Sequence, residues 1–198
     1  GTCTMSSKMR IEKDFKEFLG LLVSSEARFL FVGGLAYSIY AEPRYTKALD
    51  LFIERSDGNA DRVLLAVKAF LGETLGLKKG DLLTPKTFVQ LGYPPLRIDL
   101  TTHCEGLIFE EAWKNRVAGK YGDFEVFFLS LDDLIKNKIA TGRDQDLVDV
   151  KVLNKVKEAG SPILLERRIE SAVTHLHIGG TGFPSILAIA GATCHLTR

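Results

Sequence analysis

The sequence predicts an α/β protein: a mixed β-sheet flanked by helices, with a helical C-terminal portion. Three observations predict it. The apolar run Phe29-Leu30-Phe31-Val32 suits a strand buried on both faces, and it breaks at Gly33-Gly34. Strand-like segments then alternate with helical periods, in the order strand, short helix, strand, helix, strand pair. From Ser130 onward two amphipathic helical patterns follow each other across Gly142.

Residues 9–23 read as an amphipathic helix. Ile11, Phe15, Phe18 and Leu22 recur at helical spacing, with Lys13, Asp14, Lys16 and Glu17 opposite. Residues 28–32 are the first strand. After the double glycine, residues 35–40 form a short helix that Pro43 ends, because proline has no N–H to continue the ladder. Residues 48–54 are the second strand. Ser56-Asp57-Gly58-Asn59 is a turn that supplies a helix cap, and residues 61–71 follow as a helix with Val63, Leu64, Val67 and Phe70 inward. Residues 72–80 read as a loop. Residues 87–91 and 96–101 are strands joined by the hairpin-like Gly92-Tyr93-Pro94-Pro95.

A short helix over 109–115 precedes a hairpin, 117–120 with 124–128, around Tyr121-Gly122-Asp123. Ser130 caps a helix whose first turn holds Asp132 and Asp133, where acids suit the positive helix end. It runs to about Thr141. The helix over 144–158 presents Leu147, Val150, Leu153 and Val156 at helical spacing. A further helix is expected over 162–173. Residues 1–128 thus read as the α/β core and 129–198 as C-terminal helices and a tail. That tail, residues 177–198, has no clear period and is expected to pack on the core or on a partner subunit as a homodimer contact.

Composition narrows the class. Twenty-six basic against 25 acidic residues give a net charge of +1, which argues against a surface dedicated to coating DNA. Cys3, Cys104 and Cys194 are odd in number and far apart, with no disulfide framework, so a cytoplasmic location is expected. No apolar run reaches the roughly 18 residues of a membrane span, and the N-terminus lacks the apolar core of a signal peptide.

The chemistry concentrates at two stretches. A strand-Gly-Gly-helix turn presents backbone N–H groups and is a natural seat for phosphate at Gly33 and Gly34. Asp50, on the next strand, is a carboxylate able to hold a cation beside it. Asp99 alternates with apolar neighbours in Arg97-Ile98-Asp99-Leu100. Either acid is alternatively neutralised by a salt bridge, Asp50 by Arg44, Lys47 or Arg97.

These pieces, in this order, resemble the nucleotidyltransferases of the DNA polymerase β superfamily, in particular the small bacterial AbiEii-like branch. The resemblance rests on residues 32–36, 43–51, 97–100, 131–138 and 142–150 and spans about residues 11–158. It implies a nucleotidyltransferase fold and transfer of a nucleoside monophosphate from an NTP to a hydroxyl of RNA, protein or a small molecule. It implies Mg²⁺ held by Asp50 and Asp99 as metal ligands and catalytic acids. Gly33 and Gly34 would seat phosphate, with Arg44, Thr46 and Lys47 bordering the site and Lys138 reaching toward the nucleotide. Such families carry a D-x-D pair on the second strand; here Ala48 stands at the first position, and a methyl group ligates no metal. The alternative is therefore a catalytically degenerate nucleotide-binding or protein-interaction module of a toxin–antitoxin or defence system.

Other residues have plainer readings. Lys138 is equally a solvated helix lysine, and Arg44, Thr46 and Lys47 are equally surface residues. Arg143, Asp146 and Asp149 suit an internal polar network bracing two helices. Glu54 lies on the face of Asp50 but too far along the strand to replace the missing acid. His175 and His177, two apart, do not share a helix face, and Trp113 with Phe109 reads as core. His103-Cys104 lacks visible partners for a nucleophile.

Overall fold

The computed structural model describes residues 3–42, 48–92, 97–160 and 192–196, with side chains of the first helix described from Lys13 onward. Helix α1 (Cys3–Ser24) leads into β1 (Phe29–Phe31), α2 (Gly33–Ser38) and β2 (Leu49–Ile53). Then come α3 (Asp57–Leu71), α4 (Lys79–Leu83), β3 (Thr87–Leu91) and β4 (Ile98–Thr101). The rest is α5 (Phe109–Lys114), β5 (Val117–Tyr121), β6 (Phe124–Phe128), α6 (Leu131–Thr141), α7 (Asp144–Glu158) and β7 (Ala192–Leu196).

The sheet is mixed, in the order β5-β6-β1-β2-β4-β3-β7, with β7 along the outer edge of β3. β1 runs antiparallel to β2, and β2 runs parallel to β4. One face of the central strands is apolar throughout: Leu49, Leu51 and Ile53 align with Ile98, Leu100, Phe29 and Phe31. Burial of these side chains is the main driving force for the fold. The opposite face carries Asp50 and Phe52, level with Asp99 and Thr101.

Local chemistry sets the element ends. Ser56 caps α3 by accepting the Asn59 backbone N–H, so α3 begins at Asp57, four residues before the sequence expectation. Buried Asn59 is fully used: its amide donates to the carbonyls of Arg28 and Glu54 and accepts the Arg28 N–H, clamping the start of β1 to the end of β2. Residues 79–83, partly read as loop, form α4, where Asp81 accepts the Lys78 backbone N–H. Ser130 caps α6 through the Asp133 N–H, and Gly142 closes it in the left-handed conformation.

α7 spans the expected residues and turns Leu153 and Val150 inward as expected, but its first turn departs at Leu147. Leu147 is 48% exposed, while Asp146 and Asp149 are buried with Leu153. The inward positions at the start of α7 are held by acids because a buried lysine of α6 faces them. The expected helix over 162–173, His175, His177, the proline pair of the 92–95 joint and residues 177–191 lie outside the described residues. No described helix is long and apolar enough to cross a membrane.

Candidate functional site

Gly33 opens α2, two residues past β1, with φ +63, a left-handed conformation that favours glycine. A side chain there would also collide with Asp50, whose Cγ would lie 3.0 Å from the added Cβ. The backbone of the turn is therefore pressed against the carboxylate of the neighbouring strand. Val32 donates its N–H to the Asp50 carbonyl at 3.1 Å, and the Gly34 N–H donates to the Asp50 side chain. The two sequence stretches of most interest thus meet at one point.

Asp99 joins them from β4. The parallel register sets Asp50 level with Asp99, so both carboxyls share a sheet face. Burial, then the charge of Asp99, pushes the Asp50 carboxyl up to about 7, against the pull of Arg97 and the Gly34 N–H. Asp99 is 4% exposed, and burial raises it too, opposed by Arg97. Asp99 beside it favours the protonated form of Asp50, and Asp50 in turn favours the ionised form of Asp99. Arg97 Nη2 lies 2.8 Å from Asp99 Oδ2. The salt bridge foreseen for one of these acids is therefore made, and it falls on Asp99.

Ala48 is buried at 2% exposure. Leu49 pairs with Ile98, and the Leu49 N–H donates to the Arg97 carbonyl at 2.9 Å. One step earlier, Ala48 stands level with Arg97.

Lys138 is engaged by two acids of α7. It is buried, and its Nζ lies 2.9 Å from Asp146 Oδ1 and 2.6 Å from Asp149 Oδ2. Arg143 also binds Asp146, with Nε 2.6 Å from Oδ2. Burial raises the Asp146 carboxyl, but the hydrogen bonds from Arg143 and Lys138 outweigh it and hold it below its usual range. This is the internal brace between α6 and α7, and Lys138 belongs to it rather than to solvent. Its ammonium lies 5.8 Å from the Tyr37 ring, which ties the brace to α2.

Arg44, Thr46 and Lys47 lie outside the described residues. Glu54 is far from the carboxylate pair, about 13 Å along the strand at 3.3 Å per residue. It pairs with Arg28 and accepts from the Ser56 hydroxyl. Cys104 is buried, and burial followed by the charges of Asp50 and Glu105 pushes its thiol up to about 12, so it is a poor nucleophile. A cleft of about 280 Å³ lies at the far end of β2 and β4, lined by Phe52, Glu54, His103 and Phe109 among others, and includes neither Asp50 nor Asp99.

Two-cation phosphoryl chemistry needs oxygen ligands from several carboxylates. The described residues contain no cluster of three or more metal-ligating side chains. Asp50 and Asp99 are a pair, and Asp99 already carries Arg97. The described residues therefore do not fit a two-magnesium centre. Arg97 was visible in the sequence as a possible partner for Asp50. Its position beside Ala48 depended on strand register, which no single segment reveals.

Comparison of the chain with protein-family models and with curated proteins finds no match.

Proposed function

We propose that this chain is a nucleotide-binding protein of nucleotidyltransferase type whose transfer activity is impaired. The contact of the Gly33-Gly34 turn with Asp50, and of Asp50 with Asp99, carries this reading. Three separate stretches of sequence converge on a glycine turn at the head of a helix, beside two carboxyls. Such a turn is a seat for phosphate, and the adjoining acids are where a cation accompanying a nucleoside triphosphate would lie. Impairment follows from Ala48, from the engagement of Asp99 by Arg97, and from the engagement of Lys138 by Asp146 and Asp149. In an active relative, magnesium held by the acids would stabilise charge during transfer of a nucleoside monophosphate to a hydroxyl acceptor.

A panel of nucleoside triphosphates, read by the thermal unfolding midpoint, tests the binding. At least one triphosphate is expected to raise the midpoint of the wild type, and Gly33→Ala is expected to abolish that rise. If no triphosphate shifts the wild type, the reading fails. Transfer is followed separately with labelled triphosphate and RNA, protein or small-molecule hydroxyl acceptors. Efficient turnover by the wild type would overturn the impairment.

A further inference from the structure

Next to Ala48 the neighbouring strand brings in Arg97, whose carbonyl accepts the Leu49 N–H. Arg97 and Asp99 are two apart on β4 and its approach, so they share the face that carries Ala48 and Asp50. The Arg97 guanidinium turns along its own strand onto Asp99, Nη2 to Oδ2 at 2.8 Å. Its Nε–H is buried and has no acceptor. A buried guanidinium N–H left unpaired is a costly donor, and a ligand oxygen would satisfy it.

The charges make the same point. Three carboxylates without an arginine would sum to −3, a field that calls for divalent cations. Two carboxylates and one guanidinium sum to −1 when both acids are ionised. A divalent ion approaching Asp99 meets a fixed positive charge and one acid fewer. A ligand approaching the same corner meets the unspent Arg97 N–H donor and, beside it, Asp99 Oδ1, which is also buried without a partner, so a phosphate that carries a hydroxyl proton can satisfy both.

We infer that Arg97 is the cation of this site: beside Ala48 it closes the Asp50–Asp99 pair to divalent metal and makes nucleoside phosphate binding independent of such metal. The choice of ligand rests on the nucleotide reading above, whereas the exclusion of metal does not.

Manganese binding without nucleotide, followed by electron paramagnetic resonance, tests the exclusion. Wild type is expected to bind Mn²⁺ no better than Asp50→Asn does. Arg97→Gln is expected to bind it about tenfold or more tighter, since a fixed positive charge is removed from a partly buried carboxylate pair. Arg97→Lys keeps the charge and is expected to exclude the ion. A wild-type manganese site that Asp50→Asn abolishes overturns the inference, and this comparison decides the matter even if Arg97→Gln does not fold. A folded Arg97→Gln that binds no tighter than wild type also overturns it.

The ligand arm uses ATP. Its stabilisation of the wild type is expected to be equal in EDTA and in magnesium. Stabilisation only with magnesium overturns the metal independence while the nucleotide reading stands. No stabilisation in either overturns the nucleotide reading, and the manganese result then judges the exclusion alone.

Discussion

Gly33 and Asp50 occupy each other's space: a Cβ on residue 33 would fall within van der Waals contact of the Asp50 carboxylate, at a φ of +63. Gly33→Ala therefore meets two penalties, one steric and one of backbone conformation. A loss of about 1–3 kcal/mol is expected. Gly72→Ala is the control, because residue 72 is also left-handed at φ +81 but has open space around it. Urea unfolding of both variants separates the penalties. Equal losses would mean that the approach to Asp50 costs nothing.

Asp50 makes stability depend on pH in the direction opposite to that of a salt-bridged acid. Its carboxyl is raised from 3.8 to about 7, so between these values the native state keeps a proton that the unfolded chain releases. Its contribution is complete below the unfolded value and is lost as pH rises through the folded one. Asp50→Asn cannot titrate. The stability of Asp50→Asn relative to wild type should increase from about pH 4 to about pH 8. A difference that stays flat in urea unfolding across that range would refute the assignment.

Lys138 lies between Asp146 and Asp149, its Nζ in contact with both, and all three groups are buried. Lys138→Met leaves the acids with reduced compensation, and breaking a buried pair from one side costs about 3–5 kcal/mol. Asp146 retains Arg143 and Asp149 retains the Gln145 amide, so each acid keeps part of its compensation. Adding Asp149→Leu to Lys138→Met should recover part of it. Chemical denaturation of the single and double variants checks this, and the absence of recovery would count against Asp149.

Arg28 lies over two rings, 4.7 Å from the centre of Trp113 and 5.7 Å from that of Phe109, while pairing with Glu54 and Glu110. Arg116 covers Trp113 at 4.3 Å. A lysine keeps the charge but not the flat stacking surface, so Arg28→Lys should cost about 1 kcal/mol. The chain has one tryptophan, so indole fluorescence reports this cluster directly. Arg28→Lys is expected to shift its emission, and unchanged emission would argue against the stack.

Much of the architecture was legible because its signals are local. Ser130 and Gly142 bracket α6 as caps, and the apolar run before Gly33 forms the buried β1. The short α4 was missed because five residues show no helical period. The face of α7 was misread at Leu147 because apolar spacing assumes that the core is apolar, whereas Lys138 makes that part of it ionic. At the site, Gly33, Gly34, Asp50 and Asp99 could be named from the sequence. The role of Arg97 could not, because it depends on which strands are neighbours and in what register.

The position of β2 between β1 and β4 has a kinetic consequence. β1 is close to β2 in the chain, but the parallel partner β4 is reached only after α3, α4 and β3 have been traversed. Asp50 can meet Gly33 early, whereas it meets Asp99 only once a slow, long-range pairing has closed. A molecule held by all three residues would find its seat only in the finished chain. Its binding would lengthen the lifetime of the folded state and leave the rate of reaching that state nearly unchanged.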